Sequence, residues 1–447
     1  GRWVCDQLEA LRDEHGCDVH ALLGGDDGPT VDRCREAGIP VTAFDFRLFS
    51  WRSLATLPWR IVKLAWWLRR QQFDVVQSHV IQSTMFARPA AWLADIPVRL
   101  VMVTGPFYMQ APASRQAETS TAWMETGIIP SCALAAGLYR EAGIGVPILP
   151  TLYYGPRAEN WDPATVRPAD LRAELGLAEE TPLIGCVAVF YPRCAENDFV
   201  PAETRNRHVK GHEELIHAMP LVLREFPNAK LLLIGKGWGP KGEQTEAELR
   251  DMVRLAGLED SIIFTGYRTD IAAVYRGLDV SVQASLNDNL GGTVESLLMA
   301  RPTVATRVGG LVDAVKDGET GVLVAPGDPQ DLARGILKLL RDPAEGARLG
   351  AAGRAWMLDR FTLATTAAGL AGLYRRQRAA AQGAWRARVT LGRLAMGAVC
   401  YPPVFVRTIV WNMYLRFVVK SLGDRVATRM RGRDLTRDVC PVPGNQA

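Results

Sequence analysis

The sequence predicts an α/β protein made of two doubly wound parallel sheets, followed by a helical, basic, amphipathic tail. Three observations predict it. Short apolar runs alternate with helical patterns twice over, along residues 19–150 and again along 183–342. Most of these runs end in polar or Gly residues, as parallel strands do where they deliver a loop to the ligand side of a sheet. The charge is also unevenly placed. Residues 372–440 hold fourteen Arg or Lys and three Asp or Glu, a local balance of +11 within a net +4, so the rest sums to −7.

The chain opens inside an amphipathic pattern, Trp3–Glu14, where an α/β domain normally supplies a strand and a turn first. The first strand of this domain is therefore expected to be missing from the sequence. The strands that follow are Val19–Gly24, Pro40–Phe44, Asp74–Ser78, Val98–Thr104 and Gly127–Ser131, with helices such as Leu54–Gln71 and Met85–Leu93 between them. A bridge with a short helix at Ala169–Leu175 leads to the second series: Leu183–Phe190, Lys230–Ile234, Ile262–Thr265, Val280–Gln283, Pro302–Thr306 and Gly321–Val324. Its helices fall at His212–Phe226, Gln244–Leu255, Asp270–Arg276, Thr293–Ala300, Gly310–Val315 and Pro329–Arg341. A last helix is expected at Leu363–Gln382. The domains read as 1–160, 161–361 and a tail at 362–447.

Composition bounds the function. With 48% hydrophobic and 22% charged residues the chain is globular and not disordered. Its eight cysteines include no Cys-x-x-Cys pair and read as reduced thiols packed as small apolar residues. His208, His212 and His217 do not share one helix face, and no metal site is expected. A Gly-x-Ser-x-Gly elbow and a Walker sequence are both absent, and nothing points to nucleic acid. Trp385–Gly423 is apolar but broken by Arg393, Arg407 and Arg416, too interrupted for a spanning helix. Residues 385–437 suit a helix lying on an anionic membrane surface, or else a pair of helices packed on the protein itself. The corresponding location is cytoplasmic, peripheral at the inner face of the cell membrane.

Several residues that could carry chemistry sit at strand ends. Gly291 and Gly292 let backbone approach a ligand, and Thr293 opens a helix behind them. Glu295 lies one turn inside that helix, on a segment whose Val294, Leu297 and Leu298 face the sheet; a half-buried carboxylate there suits the hydroxyls of a ribose. Lys210-Gly211-His212 opens another helix, where a lysine beside oriented N–H groups suits a diphosphate; the alternative is a solvated lysine. Gly235-Lys-Gly-Trp-Gly239 is either a tight turn or a ligand loop and lacks the full dinucleotide spacing. His79 ends a strand of the first domain, as a satisfied polar group or as an acceptor-side residue near a reacting hydroxyl.

From Ile184 to Phe361 the sequence resembles the retaining glycosyltransferases of the GT-B fold, specifically glycosyltransferase family four. The residues that carry this are Lys210-Gly211-His212, Leu231–Gly237, Phe264-Thr-Gly266, Glu295, Arg301-Pro-Thr-Val-Ala-Thr306, Gly309-Gly310 and Asp317-Gly-x-Thr-Gly321. The first region matches more loosely, through Asp74-Val-Val-Gln-Ser-His79 and Tyr153-Tyr-Gly155. The resemblance implies two facing Rossmann-like domains, acceptor on the first and a nucleotide-diphosphate sugar donor on the second, with neither cofactor nor metal. It implies that Lys210 holds the diphosphate and Glu295 the ribose. Asn289, Leu290, Gly291, Gly292 and Thr293 would meet sugar and phosphate, Gly235 would line the donor site, Tyr267 and Arg268 would lie at the base, and His79 would face the transferred sugar.

The chain departs from the family at two places. The family's Glu eight residues before the ribose Glu is Asn287 here, which shifts the sugar contact to Asp288 or to an amide. The usual Arg near Val189 is absent, and an insertion from Pro192 to Val209 follows, from which Arg193, Arg205 or Arg207 could supply the cation. The expected function is sugar transfer with retention to a hydroxyl of a glycan or lipid-linked acceptor in cell-envelope polysaccharide or glycolipid synthesis. The alternatives are a donor-binding membrane scaffold impaired in catalysis and a nucleotide-sugar epimerase.

Overall fold

The computed structural model describes residues 2–48 and 51–384. The tail at 385–437 to which the sequence assigns membrane contact lies outside them. The chain divides into two compact units: Gly1–Leu152 with Ala195–Ala202 and the chain from Ala368 onward, and Tyr153–Cys194 with Glu203–Ala367.

The first unit contains α1 (Arg2–Asp13), β1 (Ala21–Leu23), α2 (Pro29–Glu36), β2 (Val41–Ala43), α3 (Trp51–Gln71), β3 (Val75–Ser78), α4 (Ile81–Leu93), β4 (Val98–Met102), α5 (Phe107–Gln110), α6 (Pro112–Thr121), β5 (Gly127–Ile129) and α7 (Ala133–Glu141). All five predicted strands form, and all pair in parallel. They do not make one sheet: β1 pairs only with β2, and β3–β4–β5 form a separate ladder. Among the described residues no strand bridges β1 to β3. Leu57, Ile61, Leu64, Ala65 and Leu68 recur at helical spacing, and this face of α3 packs on Met85, Phe86, Ala90 and Ala91 of α4. Beneath α4 lies a buried ionic cluster. Arg88 donates to Glu118 (3.0 Å), Glu125 (3.0 Å) and Thr121 (2.6 Å), which places every arm of its guanidinium.

One expectation fails in this unit. Cys5 of α1 and Cys34 of α2 form a disulfide, so the chain does not carry eight reduced thiols. The pair joins neighbouring helices across a separation of 29 residues, a proximity that spacing alone does not display.

The second unit runs through α8 (Leu171–Glu174), β6 (Leu183–Val187), α9 (His212–Leu223), β7 (Lys230–Ile234), α10 (Gly239–Leu255), β8 (Ile262–Gly266), α11 (Ile271–Gly277), β9 (Val280–Gln283), α12 (Thr293–Leu298), β10 (Thr303–Thr306), α13 (Leu311–Ala314), β11 (Val322–Val324), α14 (Pro329–Arg341), α15 (Pro343–Arg360) and the start of α16 (Leu363–Ala384). Six parallel strands form one sheet in the order β11–β10–β9–β6–β7–β8. Helices cover both faces, so central strands such as Lys230-Leu-Leu-Leu-Ile are almost wholly apolar. The order reverses between β6 and β9. That is the topological switch point, and the crevice beyond its carboxyl ends is where open α/β sheets take ligands.

Helix α15 is the element periodicity does not reveal. Its buried positions include Gly346, Gly350 and Gly353. A Cβ on Gly350 would strike the Ala300 carbonyl, and one on Gly353 would lie 2.6 Å from Leu297. The glycines let α15 press against α12, and Arg354 secures the contact by donating to the Leu298 carbonyl and to Asp162 (3.0 Å). The helix that carries Glu295 is thereby held from behind.

Candidate functional site

The two helices that leave the switch point are α9, after β6, and α12, after β9, and each begins next to a residue singled out above. Gly211 caps α9 at φ 69°, with its Cα against the Ala284 carbonyl, where a Cβ has no room. That close approach brings Lys210 to the segment after β9. Lys210 Nζ donates to Asp288 Oδ2 at 2.6 Å, and both side chains are buried. Burial is the largest influence and opposes the ammonium, but the Asp288 charge and hydrogen bond, with smaller help from Tyr191 and Cys186, together hold Lys210 above the ordinary lysine value. Asp288 is itself fixed: Ser285 Oγ donates to Oδ2 (2.8 Å) and the Asn289 N–H to Oδ1 (2.9 Å). An ammonium has three donors, so the pairing with Asp288 leaves others for a ligand.

Gly291 turns at φ 51°, and its Cβ would lie 2.8 Å from Gln283 and 2.9 Å from Asp288. The Gly292 carbonyl accepts from the Tyr275 hydroxyl at 3.0 Å, and a Cβ on Gly292 would collide with that hydroxyl. Beyond the glycines, Thr293 Oγ1 and Glu295 Oε2 are buried and have no hydrogen-bond partner. Burial, with Asp288 adding to it, pushes the Glu295 carboxyl up to about 7. Two orphaned polar atoms beside a buried, charged lysine fit a ligand that brings both hydroxyls and anionic oxygens.

Other predicted residues are distributed as follows. Gly235, at the end of β7, has φ 151° and its Cα against the Ala188 carbonyl, so the loop lies close to the end of β6. Tyr267 follows β8 and is 57% exposed, an open ring face. Arg268 is committed to Glu174 (2.6 Å) and Asp270 (2.6 Å). In the insertion, Arg193 pairs with Glu213 and donates to the Asn206 carbonyl (3.0 Å), and Arg207 pairs with Glu214 (2.6 Å). Arg205 forms an isolated bridge with Cys194 that closes the stem of the insertion. Asn287 is buried next to Asp288. Sequence reasoning passed over Lys236 and Trp238. The Lys236 ammonium stands 4.3 Å from the Trp238 ring centre and 5.5 Å from that of Tyr267. Both residues were visible inside Gly235-Lys-Gly-Trp-Gly239, where the glycines alone drew attention.

His79 belongs to the first unit, on the turn from β3 to α4. The turn is strained: Val80 has φ 30°, an unusual value for a β-branched residue. Hydroxyls clamp it, with Thr84 Oγ1 donating to the His79 carbonyl (2.8 Å) and Ser83 Oγ to the same carbonyl (2.9 Å). The ring stands edge-on to Trp3 at 5.1 Å, and burial lowers His79 to about 4, so it is neutral near pH 7. Tyr374 of α16 donates to Gln77 Oε1 (2.8 Å), which turns the Gln77 amide nitrogen toward His79 Nε2 (3.1 Å). His79 Nε2 therefore accepts, and Nδ1 carries the proton.

Comparison with known proteins bears on the family and the fold. A family model described as Glycosyl transferases group 1 matches residues 201–342, and one described as Glycosyl transferase 4-like domain matches residues 1–151. The chain belongs to the group 1 glycosyltransferases, glycosyltransferase family four. It is 34% identical to a 2-deoxystreptamine glucosyltransferase of Streptomyces kanamyceticus over 48% of this chain and 52% of that protein. It is 29% identical to a GDP-mannose-dependent alpha-(1-6)-phosphatidylinositol monomannoside mannosyltransferase of Mycolicibacterium smegmatis, over 48% of this chain and 53% of that one. The chain spans about half the length of these curated relatives. Its fold is that of Anabaena HepE, solved in complex with UDP (TM-score 0.67, 20% identity, 84% of this chain and 96% of that chain). It is also that of sucrose-phosphate synthase from Thermosynechococcus elongatus (TM-score 0.65, 21% identity, 84% and 92%). These likenesses give the GT-B class.

Proposed function

We propose that the protein transfers a sugar, with retention, from a nucleotide-diphosphate sugar to a hydroxyl of a cell-envelope glycan or lipid-linked acceptor. The observation that carries this reading is the group at the switch point: a buried Lys210–Asp288 pair beside the Gly291-Gly292 turn, with Thr293 Oγ1 and Glu295 Oε2 left without partners. Lys210 gives its remaining N–H donors to the diphosphate and offsets the charge that builds on it as the sugar departs. Asp288 keeps the ammonium protonated and aimed. Glu295 accepts from ribose hydroxyls, and Thr293 and the amides of Leu290–Gly292 meet phosphate and sugar. Trp238, Tyr267 and Lys236 offer ring faces and a cation to the base, a role Arg268 is less free to take. His79, neutral and with its tautomer fixed, hydrogen-bonds a hydroxyl rather than exchanging a proton. The reaction proceeds by frontside attack on the anomeric carbon, without a protein nucleophile, metal or cofactor.

HepE was solved with UDP-glucose, and the Mycolicibacterium relative is named for GDP-mannose, so both bases belong in the test. The basic tail, with its balance of +11 over residues 372–440, favours an acceptor at a cytoplasmic membrane face. The experiment is transfer or donor hydrolysis measured with UDP-, GDP- and ADP-sugars. Lys210→Ala and Glu295→Ala should each lower turnover roughly 10²-fold, and unchanged turnover in both would refute the assigned roles. A second reading, donor binding without transfer, draws on Asn287 and on the pairing of Arg193 with Glu213 and of Arg207 with Glu214. Donor binding with neither transfer nor hydrolysis would favour it.

A further inference from the structure

Helix α3 has a second face that no described residue covers. One side is buried on α4, but Trp59, Val62 and Trp66, at spacings of three and four, are 70%, 50% and 56% exposed. Two half-exposed indoles and a valine in a single stripe differ from the scattered apolar residues of an ordinary surface. The helix's own charge is of one sign. Arg52, Arg60, Lys63, Arg69 and Arg70 are the helix's ionisable residues, and it contains no Asp or Glu. Arg60 turns inward to Asp45 (3.2 Å), whereas Lys63, Arg69 and Arg70 stay exposed along the aromatic stripe. The Arg70 guanidinium stacks on Trp66 at 3.6 Å. A helix of 21 residues, about 31 Å long, can lie flat over such a surface.

We infer that this face of α3 docks on an anionic lipid bilayer. Indoles favour the headgroup level, where the ring leaves water while its N–H stays hydrated. Exposed lysine and arginine beside them gain from negative headgroups, by about fivefold in binding for each cation. A protein partner of matching chemistry would have to supply an acidic rim and an apolar centre together; an anionic bilayer presents both everywhere. The surface is built from described residues of the first unit and from none of residues 385–447, so it can be tested whether or not the tail also binds lipid and whether or not sugar transfer is the activity.

The test is co-sedimentation of the full chain with vesicles of phosphatidylcholine alone and with one-third phosphatidylglycerol. The wild type should bind the anionic vesicles and lose that binding at high salt. Trp59→Ser/Trp66→Ser should weaken partitioning about a hundredfold, and Lys63→Glu/Arg70→Glu at least as much. All four positions are exposed, and unchanged circular dichroism and thermal unfolding check that the fold survives. Equal binding of the variants and the wild type, or equal binding to neutral and anionic vesicles, overturns the inference. So does a Trp59→Ser/Trp66→Ser variant whose residues 385–447 become newly sensitive to protease while vesicle binding holds, since the face would then be the seat of the chain's own tail.

Discussion

Replacing Glu295 with Gln should make the protein more stable at alkaline pH while removing its grip on the donor. The carboxyl is half-buried next to Asp288, and its value rises from 4.5 to about 7. Between those values the unfolded chain carries a carboxylate where the folded one carries a neutral acid. The stabilisation from this group is therefore complete below about pH 4.5 and is lost as pH climbs to about 7. The gap corresponds to about 3 kcal/mol. Gln is nearly isosteric, stays neutral and shows no such loss. The stability difference, variant minus wild type, should thus widen by about 2–3 kcal/mol between pH 5 and pH 8. Urea unfolding of both proteins at the two pH values measures it, and calorimetry at pH 8 measures the accompanying loss of nucleotide-sugar affinity. A difference that stays constant with pH, or shrinks as pH rises, would refute the claim that Glu295 is held against its ionised form.

Three further outcomes follow from the same geometry. Lys210→Met leaves Asp288 buried without its cation and should cost about 3–5 kcal/mol in urea unfolding, whereas Lys210→Met/Asp288→Asn should recover much of that loss; no recovery would mean the pair is not coupled. Tyr374→Phe removes the donor that orients Gln77 and should cost about 1 kcal/mol. Nitrogen NMR of the His79 imidazole should then show mixed tautomers in place of one, and an unchanged spectrum would contradict the orienting chain. Gly350→Ala places a methyl against the Ala300 carbonyl and should destabilise the second unit by about 1–3 kcal/mol with a matching fall in donor affinity; a neutral effect would show that α15 does not support α12.

The strands were legible because a parallel strand buried on both faces writes itself as a bare apolar run; ten of the eleven fall within the ranges the sequence indicated, and β8 runs one residue further, to Gly266. Lys210 and the Gly291–Glu295 segment were legible for a related reason: each sits at a strand-to-helix junction, which local sequence reveals. What joins them was not. Lys210 and Asp288 are 78 residues apart, and only the fold makes Asp288 a partner of the lysine. Helix α15 hid because part of its buried face is glycine, which adds nothing to an apolar period. The break between β1–β2 and β3–β4–β5 also lay beyond pattern reading, since pairing depends on neighbours that no run of residues specifies. The Cys5–Cys34 bridge and the Tyr374–Gln77–His79 chain are contacts of the same non-local kind, the latter spanning 297 residues between Tyr374 and Gln77.

Sugar transfer by this protein requires the second unit to grip an activated sugar through its diphosphate and ribose. Titration calorimetry of the wild type and of Lys210→Ala with UDP-, GDP- and ADP-sugars tests this most directly. Saturable binding of at least one donor to the wild type, weakened tenfold or more in the variant, is the predicted result. Absence of binding by the wild type to every nucleotide-sugar, or equal affinity in the two proteins, would contradict it.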